Sequence, residues 1–248
     1  MAIKIDTGLI DFGNPSGIDG ISQLSIVTWL EFTGAPSGYV FSKMDYTSAP
    51  DPAPLPHGWY ILGNTDETIN FLYGWWNATG WWRSSTGTIQ ANNLYQVGIS
   101  YDNSSTANDA TIYINGSSVA VTEEQGPGAD LRDDTGVNFL VGGWHNNGTP
   151  TQGSCNCIIY DIKIYSGIRT AAEFKRDYDR RCHLPIIESD LEIWIPFLGA
   201  SGCQVFDGVA LGSSNLIREY ITKVLGQPYD TGSGGPIGAG SKLRIGGQ

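Results

Sequence analysis

Basic residues are scarce in this 248-residue chain, where 14 lysines and arginines stand against 25 acidic residues for a formal net charge of −11. Nucleic acids and anionic membrane surfaces are bound through clustered Lys and Arg, so the composition argues against both as partners. Charged residues make up 16% of the chain, below the roughly 25% of average domains. No apolar run approaches the ~20 residues of a membrane-spanning helix.

Signals for export and for common catalytic machinery are also missing. Residues 1–13, MAIKIDTGLIDFG, lack the apolar centre of a signal peptide, so the chain is not exported by that route or begins after a removed signal. His57, His145 and His183 lack the Ser and Asp neighbours of a recognisable catalytic triad. No Gly-rich phosphate-binding loop precedes a predicted helix. We therefore predict that the protein is not an enzyme.

Cysteine is rare, with four residues in the chain. Cys155 and Cys157 are two apart on a predicted strand and would point to one face, which does not suit a bridge between them. A bridge between Cys182 and Cys203 is one alternative. A zinc site is another, and its ligands would be Cys155, Cys157, Cys182 and His183. The favoured interpretation is buried thiols in a reduced compartment.

Turn-forming residues are abundant, with 33 Gly and 12 Pro, as a turn-rich all-β protein requires. The clearest strand, residues 95–101, alternates with a period of two and places Tyr95, Val97, Ile99 and Tyr101 on one face. A polar loop follows, and then a predicted hairpin turns at Asn115-Gly116. These elements predict a β-sheet protein with one buried face per strand.

Further elements follow the same pattern. Residues 24–32 predict a strand with Leu24, Ile26, Thr28, Leu30 and Phe32 on one face. A later strand would place Ile158, Tyr160, Ile162 and Ile164 together. The four prolines in residues 47–57 predict an exposed loop. Thr170 and Glu173 form a capping box for a helix that runs to about Arg181, with Phe174 and Tyr178 packing inward.

Two motifs in order resemble a known family. The first is Tyr-Gln-Val-Gly-Ile-Ser-Tyr-Asp followed by Ala-Thr-Ile-Tyr-Ile-Asn-Gly, and the second is Val-Gly-Gly followed by Ile-Tyr-Asp-Ile-Lys-Ile-Tyr and a short helix. Over roughly residues 5–182 the chain resembles laminin-G-like domains of the concanavalin A-like lectin/glucanase superfamily. The resemblance implies a β-sandwich jelly roll, a fold that serves lectins, adhesion modules, glucanases and structural proteins alike.

The domain organisation predicted from these motifs is a jelly-roll sandwich over residues 1–184 and a C-terminal extension over residues 185–248. The extension would hold a strand near residues 191–197, a helix over residues 215–225 and a Gly-rich arm after Gln227. Such an arm has too little apolar content to order by itself. We therefore expect it to lie on another subunit of a larger assembly, most simply a homo-oligomer.

Tryptophan supplies the candidate contact surface. In GWWNATGWW, residues 74–82, a turn over residues 77–80 would pair Trp76 with Trp81 and Trp75 with Trp82. Adjacent strand residues face opposite ways, so one pair should enter the core and the other should face outward. An exposed pair is suited to stack on a sugar or to form a subunit interface; the alternative is that the pairs only stabilise the hairpin. The residues predicted to contact a ligand or partner are Trp59, Trp75, Trp76, Trp81, Trp82 and Trp144.

Acidic residues suggest two further sites. Glu188, Asp190 and Glu192 would share one face of a strand, roughly as in a retaining glycosidase. Glucanases of the resembled superfamily carry such a strand centrally, whereas here it follows the closing helix. The resemblance also implies that calcium is possible, and oxygen-rich loops occur at residues 102–109 and 130–134; neither has a defined ligand spacing, so no cofactor is assigned.

These features predict a non-enzymatic structural and binding module, most simply a virion-surface or capsid-associated (decoration-type) protein of a phage, with other subunits of the assembly as its partners. The prediction rests on the missing signal peptide, the unpaired cysteines, the aromatic hairpin and the Gly-rich arm. A secreted, carbohydrate-binding lectin-like protein is the alternative. A glucanase that uses Glu188 and Glu192 ranks third.

Overall fold

A computed structural model describes residues 3–5, 8–46, 56–75, 78–128, 131–153, 155–180 and 190–196. These residues form two β-sheets that pack face to face around one main core, which confirms the β-sandwich jelly roll. In chain order the strands are β1 (Ile3–Ile5), β2 (Ile10–Asp11), β3 (Gln23–Phe32), β4 (Gly38–Tyr46), β5 (Pro56–Asn64), β6 (Thr68–Trp75), β7 (Ala78–Ser84), β8 (Leu94–Asp102), β9 (Thr111–Ile114), β10 (Ser117–Ser118), β11 (Val121–Gln125), β12 (Leu140–Val141), β13 (Gly143–Asn146), β14 (Thr149–Gln152), β15 (Cys157–Tyr165) and β16 (Leu191–Pro196). A 3-10 helix spans Ser16–Ile18, and the α-helix α1 spans Ala171–Arg180.

The first sheet has seven strands in the order β1-β15-β3-β8-β9-β10, with β16 also paired to β15. The second sheet has nine strands, seven of them in the order β11-β7-β6-β5-β4-β12-β2. The β13–β14 hairpin joins the second sheet because β13 pairs in parallel with the end of β4. Neighbouring strands are otherwise antiparallel, as hairpin connections require.

Period-two alternation places the core as the sequence predicts. On β3, Leu24, Ile26, Leu30 and Phe32 enter the main core, and the predicted β8 face joins them. The opposite face of β3 carries Val27, which packs in a smaller cluster beneath α1. Since both faces of this strand are covered, nearly all of its side chains are buried.

The helix α1 lies on the outer face of the first sheet. Thr170 and Glu173 form the predicted capping box: the Thr170 N–H donates to Glu173 Oε2 at 2.6 Å, and the Glu173 N–H donates to Thr170 Oγ1 at 3.3 Å. Phe174 stacks on Tyr113 with ring centroids 4.0 Å apart. Tyr178 stacks on Trp29 at 5.7 Å. The predicted i, i+4 pair therefore anchors the helix.

Buried charges fix the same helix. Arg169 approaches Asp177 at 3.7 Å, and its guanidinium lies 4.1 Å from the centre of the Tyr165 ring. Burial is the largest cause that raises the pKa of Asp177, while neighbouring Lys163 and Arg169 oppose that rise. Because removing one partner would leave a buried charge uncompensated, these pairs hold the helix in one position.

The Asn115-Gly116 turn confirms the predicted hairpin between β9 and β10. Both residues have positive φ, 54° and 76°, as a type I′ turn requires. A Cβ on Gly116 would lie 2.8 Å from Lys175 Cα in α1. Glycine is therefore needed here because the helix backbone lies too close for a side chain, as well as for the positive φ.

Two expectations about β15 and the residues before it are wrong. A bulge between Ile159 and Asp161 shifts the alternation, so Ile159, Ile162 and Ile164 enter the core while Tyr160 does not. Cys155 and Cys157 form a disulfide with their Cα atoms 5.3 Å apart. Cys155 precedes the strand, so the two residues are not held in the extended geometry that would separate them. The alternatives that use residues 182, 183 and 203 lie outside the described residues.

The predicted boundary at residue 184 does not end the sandwich. Strand β16, which we placed in an extension, pairs with β15 from Asp161 to Tyr165 and buries Ile193, Trp194 and Ile195. It shares that edge of the first sheet with β1, which pairs with residues 157–159. The predicted helix and Gly-rich arm lie outside the described residues. No helix in the described part of the chain is long and apolar enough to cross a membrane.

Candidate functional site

An aromatic surface covers the side of the second sheet that faces away from the core. We call it the outer aromatic face, and its residues are Tyr39, Met44, Tyr46, Tyr60, Leu62, Leu72, Trp81 and Trp144. Met44, Tyr60 and Leu72 are buried at its centre, and the other five are partly exposed around them. A contiguous apolar surface of this kind marks a contact or ligand site more often than scattered exposed residues do.

Strand alternation creates this face. On β5, Trp59 and Ile61 enter the main core, so Tyr60 and Leu62 point the other way. On β6 and β7 the same rule places Leu72 and Trp81 on the outer side, where they pair with each other. Their sequence neighbours Phe71 and Trp82 enter the main core. The outer aromatic face therefore extends over β7, β6, β5 and β4.

Trp144 reaches the face because of an irregular connection. The Ser42 hydroxyl donates to the Gly143 carbonyl at 2.7 Å and ties the start of β13 to β4. Gly142, between β12 and β13, has φ of 79°, and a Cβ there would lie 2.6 Å from Ile5 Cγ2. Only glycine fits that conformation and that space. The chain is thereby redirected so that Trp144 lies beside β4.

Three aromatic rings of the outer aromatic face contact one another. Tyr39 stacks on Trp144 with ring centroids 4.6 Å apart and an interplanar angle of 27°. Tyr39 also meets Tyr60 at 5.0 Å in a tilted arrangement. Gly153 provides the room for this stack, since a Cβ on Gly153 would lie 2.6 Å from the Tyr39 ring and 3.0 Å from the Trp144 ring.

Tyrosine hydroxyls supply the polar groups of the face. The hydroxyls of Tyr46 and Tyr60 are 3.4 Å apart. Burial raises the pKa of Tyr60 and of Tyr39 well above the ordinary value of 10.0, and the neighbouring Tyr46 raises both further. These hydroxyls therefore remain protonated at neutral pH, and each can donate and accept a hydrogen bond.

A chain of hydrogen bonds fixes the Trp81 side chain at the β7 end of the outer aromatic face. The indole N–H of Trp81 donates to Asn70 Oδ1 at 2.8 Å. Asn70 Nδ2 donates in turn to Thr68 Oγ1 at 3.0 Å, and Thr68 donates to Asp66 at 2.8 Å. Arg83 closes the series by pairing with Asp66 and, at 3.3 Å, with Glu124. These hydrogen bonds hold the Trp81 indole ring in one orientation.

The predicted tryptophan pairing is wrong. Strands β6 and β7 pair Trp75 with Ala78, Leu72 with Trp81 and Phe71 with Trp82, which is a different register from the one predicted. Trp75 and Trp82 therefore enter the same core.

The exposure of each tryptophan side chain shows which of the remaining predicted contact residues could reach a partner. Trp59, Trp75 and Trp82 are at most 3% exposed, so none of them is placed to contact a partner. Trp76 lies outside the described residues. Trp81 and Trp144 are partly exposed on the outer aromatic face, where their contact role stays a prediction.

The acidic candidates lie elsewhere. Glu192 accepts a hydrogen bond from the Ser166 hydroxyl at 2.7 Å beside the first sheet, and Glu188 lies outside the described residues. The loop carboxylates are already engaged, because Asp109 accepts from the Trp82 indole at 3.0 Å and Asp134 lies 3.6 Å from Lys43 Nζ. Within the described ranges, no group of three or more His, Cys, Asp or Glu side chains is placed to hold a metal.

Sequence reasoning missed Tyr39, Met44, Tyr60 and Leu72. Strands β5 and β6 are apolar on both sides, so alternation does not identify the core face. A bulge between Tyr39 and Phe41 also breaks the alternation of β4. The one available signal was the number of aromatic residues in these strands.

Comparison with known proteins agrees with this architecture. Residues 7–175 match the family model described as the concanavalin A-like lectin/glucanases superfamily, which is about two thirds of the chain. No curated protein sequence matches the chain at a significant level.

Similar solved structures include a candidate carbohydrate-binding protein from Bacteroides ovatus, at 14% identity and a TM-score of 0.50, with 83% of this chain and 55% of that one covered. The sialidase module CBM40 of Ruminococcus gnavus, solved with α2,3-sialyllactose, has 14% identity and a TM-score of 0.47 over 71% and 96% of the two chains. A heptameric pentraxin from Limulus polyphemus has 14% identity and a TM-score of 0.45 over 70% and 76%.

Proposed function

Because the chain belongs to the concanavalin A-like lectin/glucanase superfamily, we propose that it is a binding module whose outer aromatic face holds a neutral glycan. The observation that carries the proposal is the Tyr39–Trp144 stack beside the paired hydroxyls of Tyr46 and Tyr60. A pyranose ring has apolar C–H faces and a rim of hydroxyls. The face combines flat apolar area with hydroxyl groups that donate and accept.

The size of the surface favours an oligosaccharide. Trp81 lies on β7, and Trp144 lies on β13 beyond β4, so they occupy opposite ends of the face. Neighbouring strands are about 4.8 Å apart, so the distance from β7 to β4 alone is about 14 Å. A single sugar would contact only one end, whereas a chain of several sugars contacts both.

The charge of the face favours a neutral ligand. Arg83 borders it, but its guanidinium is already paired with Asp66 and Glu124. Both tyrosine hydroxyls near Trp144 stay protonated, because their pKa values are raised. The ligand therefore meets uncharged donors and acceptors.

Glycan binding is tested with the full chain on a glycan array, followed by calorimetric titration of the best ligand. Trp81→Ala and Trp144→Ala should each weaken binding about tenfold or more, the usual cost of truncating an aromatic contact residue. Leu94→Ala is the matched control, since Leu94 is apolar and 45% exposed but lies outside the outer aromatic face. The melting temperature of each variant shows whether it is folded.

Two results would contradict the proposal. One is the absence of any glycan ligand for the folded wild-type protein. The other is a ligand whose affinity neither tryptophan variant changes. A preference for anionic glycans would contradict the neutral-ligand part alone.

The virion-surface placement remains a separate prediction. The Gly-rich arm that motivates it lies outside the described residues. If the arm attaches the protein to an assembly, deleting residues 226–248 should block incorporation into that assembly and leave glycan affinity unchanged. The glucanase alternative predicts turnover that Glu188→Gln abolishes.

A further inference from the structure

A polar group borders Trp81 at the β7 end of the outer aromatic face. Arg83 lies two residues after Trp81 on β7, on the same side of the sheet and about 7 Å away along the strand. The Trp81 indole N–H donates to Asn70, the residue that pairs with Arg83 across β6 and β7. The N–H edge of the indole therefore points toward Arg83. A sugar ring that stacks on Trp81 would bring its hydroxyls beside the Arg83 guanidinium.

Strand β11 brings an acceptor to the same place. A bulge between Glu123 and Gln125 inserts Glu124 as an extra residue, so Gln125 is the residue that pairs with Trp81. Glu124 Oε1 accepts a hydrogen bond from Arg83 Nη1 at 3.3 Å. Its Oε2 accepts none from the described residues, and the side chain is 33% exposed. Glu124 can therefore accept a further hydrogen bond from a ligand.

Arg83 is held in place and still has hydrogen-bond donors to offer. The guanidinium pairs with Asp66 and Glu124, and the side chain is 28% exposed. A guanidinium carries five N–H groups, more than these two contacts use. Asp66 is itself fixed, since Thr68 Oγ1 donates to it at 2.8 Å and its carbonyl accepts the Gly87 N–H at 3.2 Å. The guanidinium is thus preorganised, which lowers the entropy cost of binding a ligand.

The charges of this group favour hydroxyls as ligands. Arg83 contributes one positive charge, and Asp66 and Glu124 contribute two negative charges, so the group offers no net attraction to an anion. A hydroxyl can accept from the guanidinium or donate to the carboxylate, so a neutral sugar can use both. Two adjacent hydroxyl oxygens on a pyranose ring lie at a separation similar to that of Arg83 Nη1 and Glu124 Oε1. The group therefore matches a pair of neighbouring hydroxyls.

We propose that Arg83 and Glu124 bind two adjacent hydroxyls of the sugar that stacks on Trp81, with Arg83 donating to one and Glu124 Oε2 accepting from the other. The inference rests on the proposed glycan binding and names its substrate class. In a 1,4-linked hexose chain, every internal sugar keeps free hydroxyls at carbons 2 and 3. In a 1,3-linked chain, no internal sugar keeps two adjacent ring hydroxyls. This difference assigns neutral 1,4-linked hexose chains, and not 1,3-linked ones, to the site.

The test is calorimetric titration of the full-length protein with four neutral hexaoses. Cellohexaose, maltohexaose and mannohexaose are 1,4-linked, and laminarihexaose is the matched 1,3-linked probe. The best-bound 1,4-linked hexaose should bind about tenfold or more tightly than laminarihexaose, because hydrogen bonds to charged groups contribute that much each. Laminarihexaose that binds as tightly as the best of the other three would overturn the inference.

The failure of this inference can be told apart from the failure of glycan binding itself. If the folded protein binds none of the 1,4-linked hexaoses but binds another neutral glycan on the array, the linkage assignment is wrong and the proposed function stands. If the array contains no ligand at all, the proposed function is contradicted, and this inference with it.

Variants identify the residues. Arg83→Lys keeps the charge but loses the planar fork, and Glu124→Ala removes the acceptor. Each should reduce the preference for the 1,4-linked hexaose to less than about threefold, because one charged hydrogen bond is lost. The controls are Arg180→Lys on the exposed surface of α1 and Glu123→Ala, since Glu123 pairs with the core residue Trp82 and not with Trp81.

The opposing interpretation is that Arg83 and Glu124 only fasten β11 to the sheet. It predicts that Arg83→Lys and Glu124→Ala lower the melting temperature and leave the linkage preference of the folded protein unchanged. That result would overturn the inference, whereas a lost preference in variants that melt near the wild-type temperature would support it.

Discussion

At the scale of single residues, Gly153 determines whether the aromatic stack forms. A side chain there would occupy the space of the Tyr39 and Trp144 rings. Gly153→Ala should therefore separate the rings and weaken glycan binding about as much as Trp144→Ala does. Titration calorimetry measures the affinity, and near-ultraviolet circular dichroism reports the ring environment.

The matched control for that prediction is Gly34→Ala. Gly34 has no atom within 4 Å of an added Cβ, so this variant should bind as the wild type does. Equal affinity of Gly153→Ala and wild type would mean that the Tyr39–Trp144 stack does not determine ligand binding.

The tryptophans illustrate what sequence could predict of the site. Alternation correctly required that Trp81 and Trp82 face opposite ways, and the structure places Trp82 in the core and Trp81 outside. The register was wrong because it depends on how many residues form the turn. Trp59 was misplaced because both faces of β5 are apolar, and its burial depends on which sheet covers which face.

At the scale of elements, the capping box determines how firmly α1 begins. Thr170→Ala removes the hydroxyl that accepts the Glu173 N–H and should lower the free energy of unfolding by about 1 kcal/mol. Chemical denaturation measures this loss. Ala172→Ser, at an exposed helical position, is the control and should change stability much less. Equal losses in the two variants would contradict a capping role.

The capping box of Thr170 and Glu173 also predicts that the stability of the protein depends on pH. Hydrogen bonds from Thr170 are the main cause that lowers the pKa of Glu173 from its ordinary value of 4.5. A lowered pKa means that Glu173 adds stability above about pH 4.5 and that this contribution is lost as the pH falls through the folded-state pKa.

Glu173→Gln isolates this effect, because glutamine can still accept the capping hydrogen bond but does not titrate. Denaturation from pH 6 to pH 3 should show the wild type more stable than the variant at the upper end. The difference should shrink toward the acid end. A difference that does not change with pH would exclude Glu173 as its source.

Elements defined by local chemistry were predictable from sequence. The Asn115-Gly116 hairpin and the helix after Thr170 follow from turn and capping rules that involve a few neighbouring residues. The β15 bulge was not predictable, since it depends on pairing with the distant strand β3. The Cys155–Cys157 disulfide was missed for a related reason, because we extended β15 two residues too far toward the N-terminus.

At the scale of the whole molecule, β16 completes an edge of the first sheet. A chain that ends at residue 196 should be soluble and should unfold cooperatively, whereas one that ends at residue 184 leaves Asp161–Tyr165 of β15 without an outer partner. Exposed strand edges promote aggregation. Light scattering and thermal denaturation of the two chains measure the difference. Equal stability and solubility would show that β16 is dispensable.

The β-sandwich fold was predictable from the order of the motifs, but the residue at which the sandwich ends was not. The resemblance identified the sandwich because two motifs occur in sequence order with the family's spacing. It placed β16 outside because this strand follows the helix that was predicted to close the sandwich. Which edge such a strand joins is decided by three-dimensional pairing, and a linear pattern does not contain that information.

The position of β3 between β8 and β15 also determines the order in which the protein can be built during synthesis. Ser25 pairs with Ser100 on one side and with Tyr165 on the other. A ribosome that adds roughly 5–20 residues per second would leave β3 with one open edge for on the order of ten seconds. We expect the nascent chain to need protection by chaperones during that interval. The yield of folded protein would then depend on translation speed as well as on final stability.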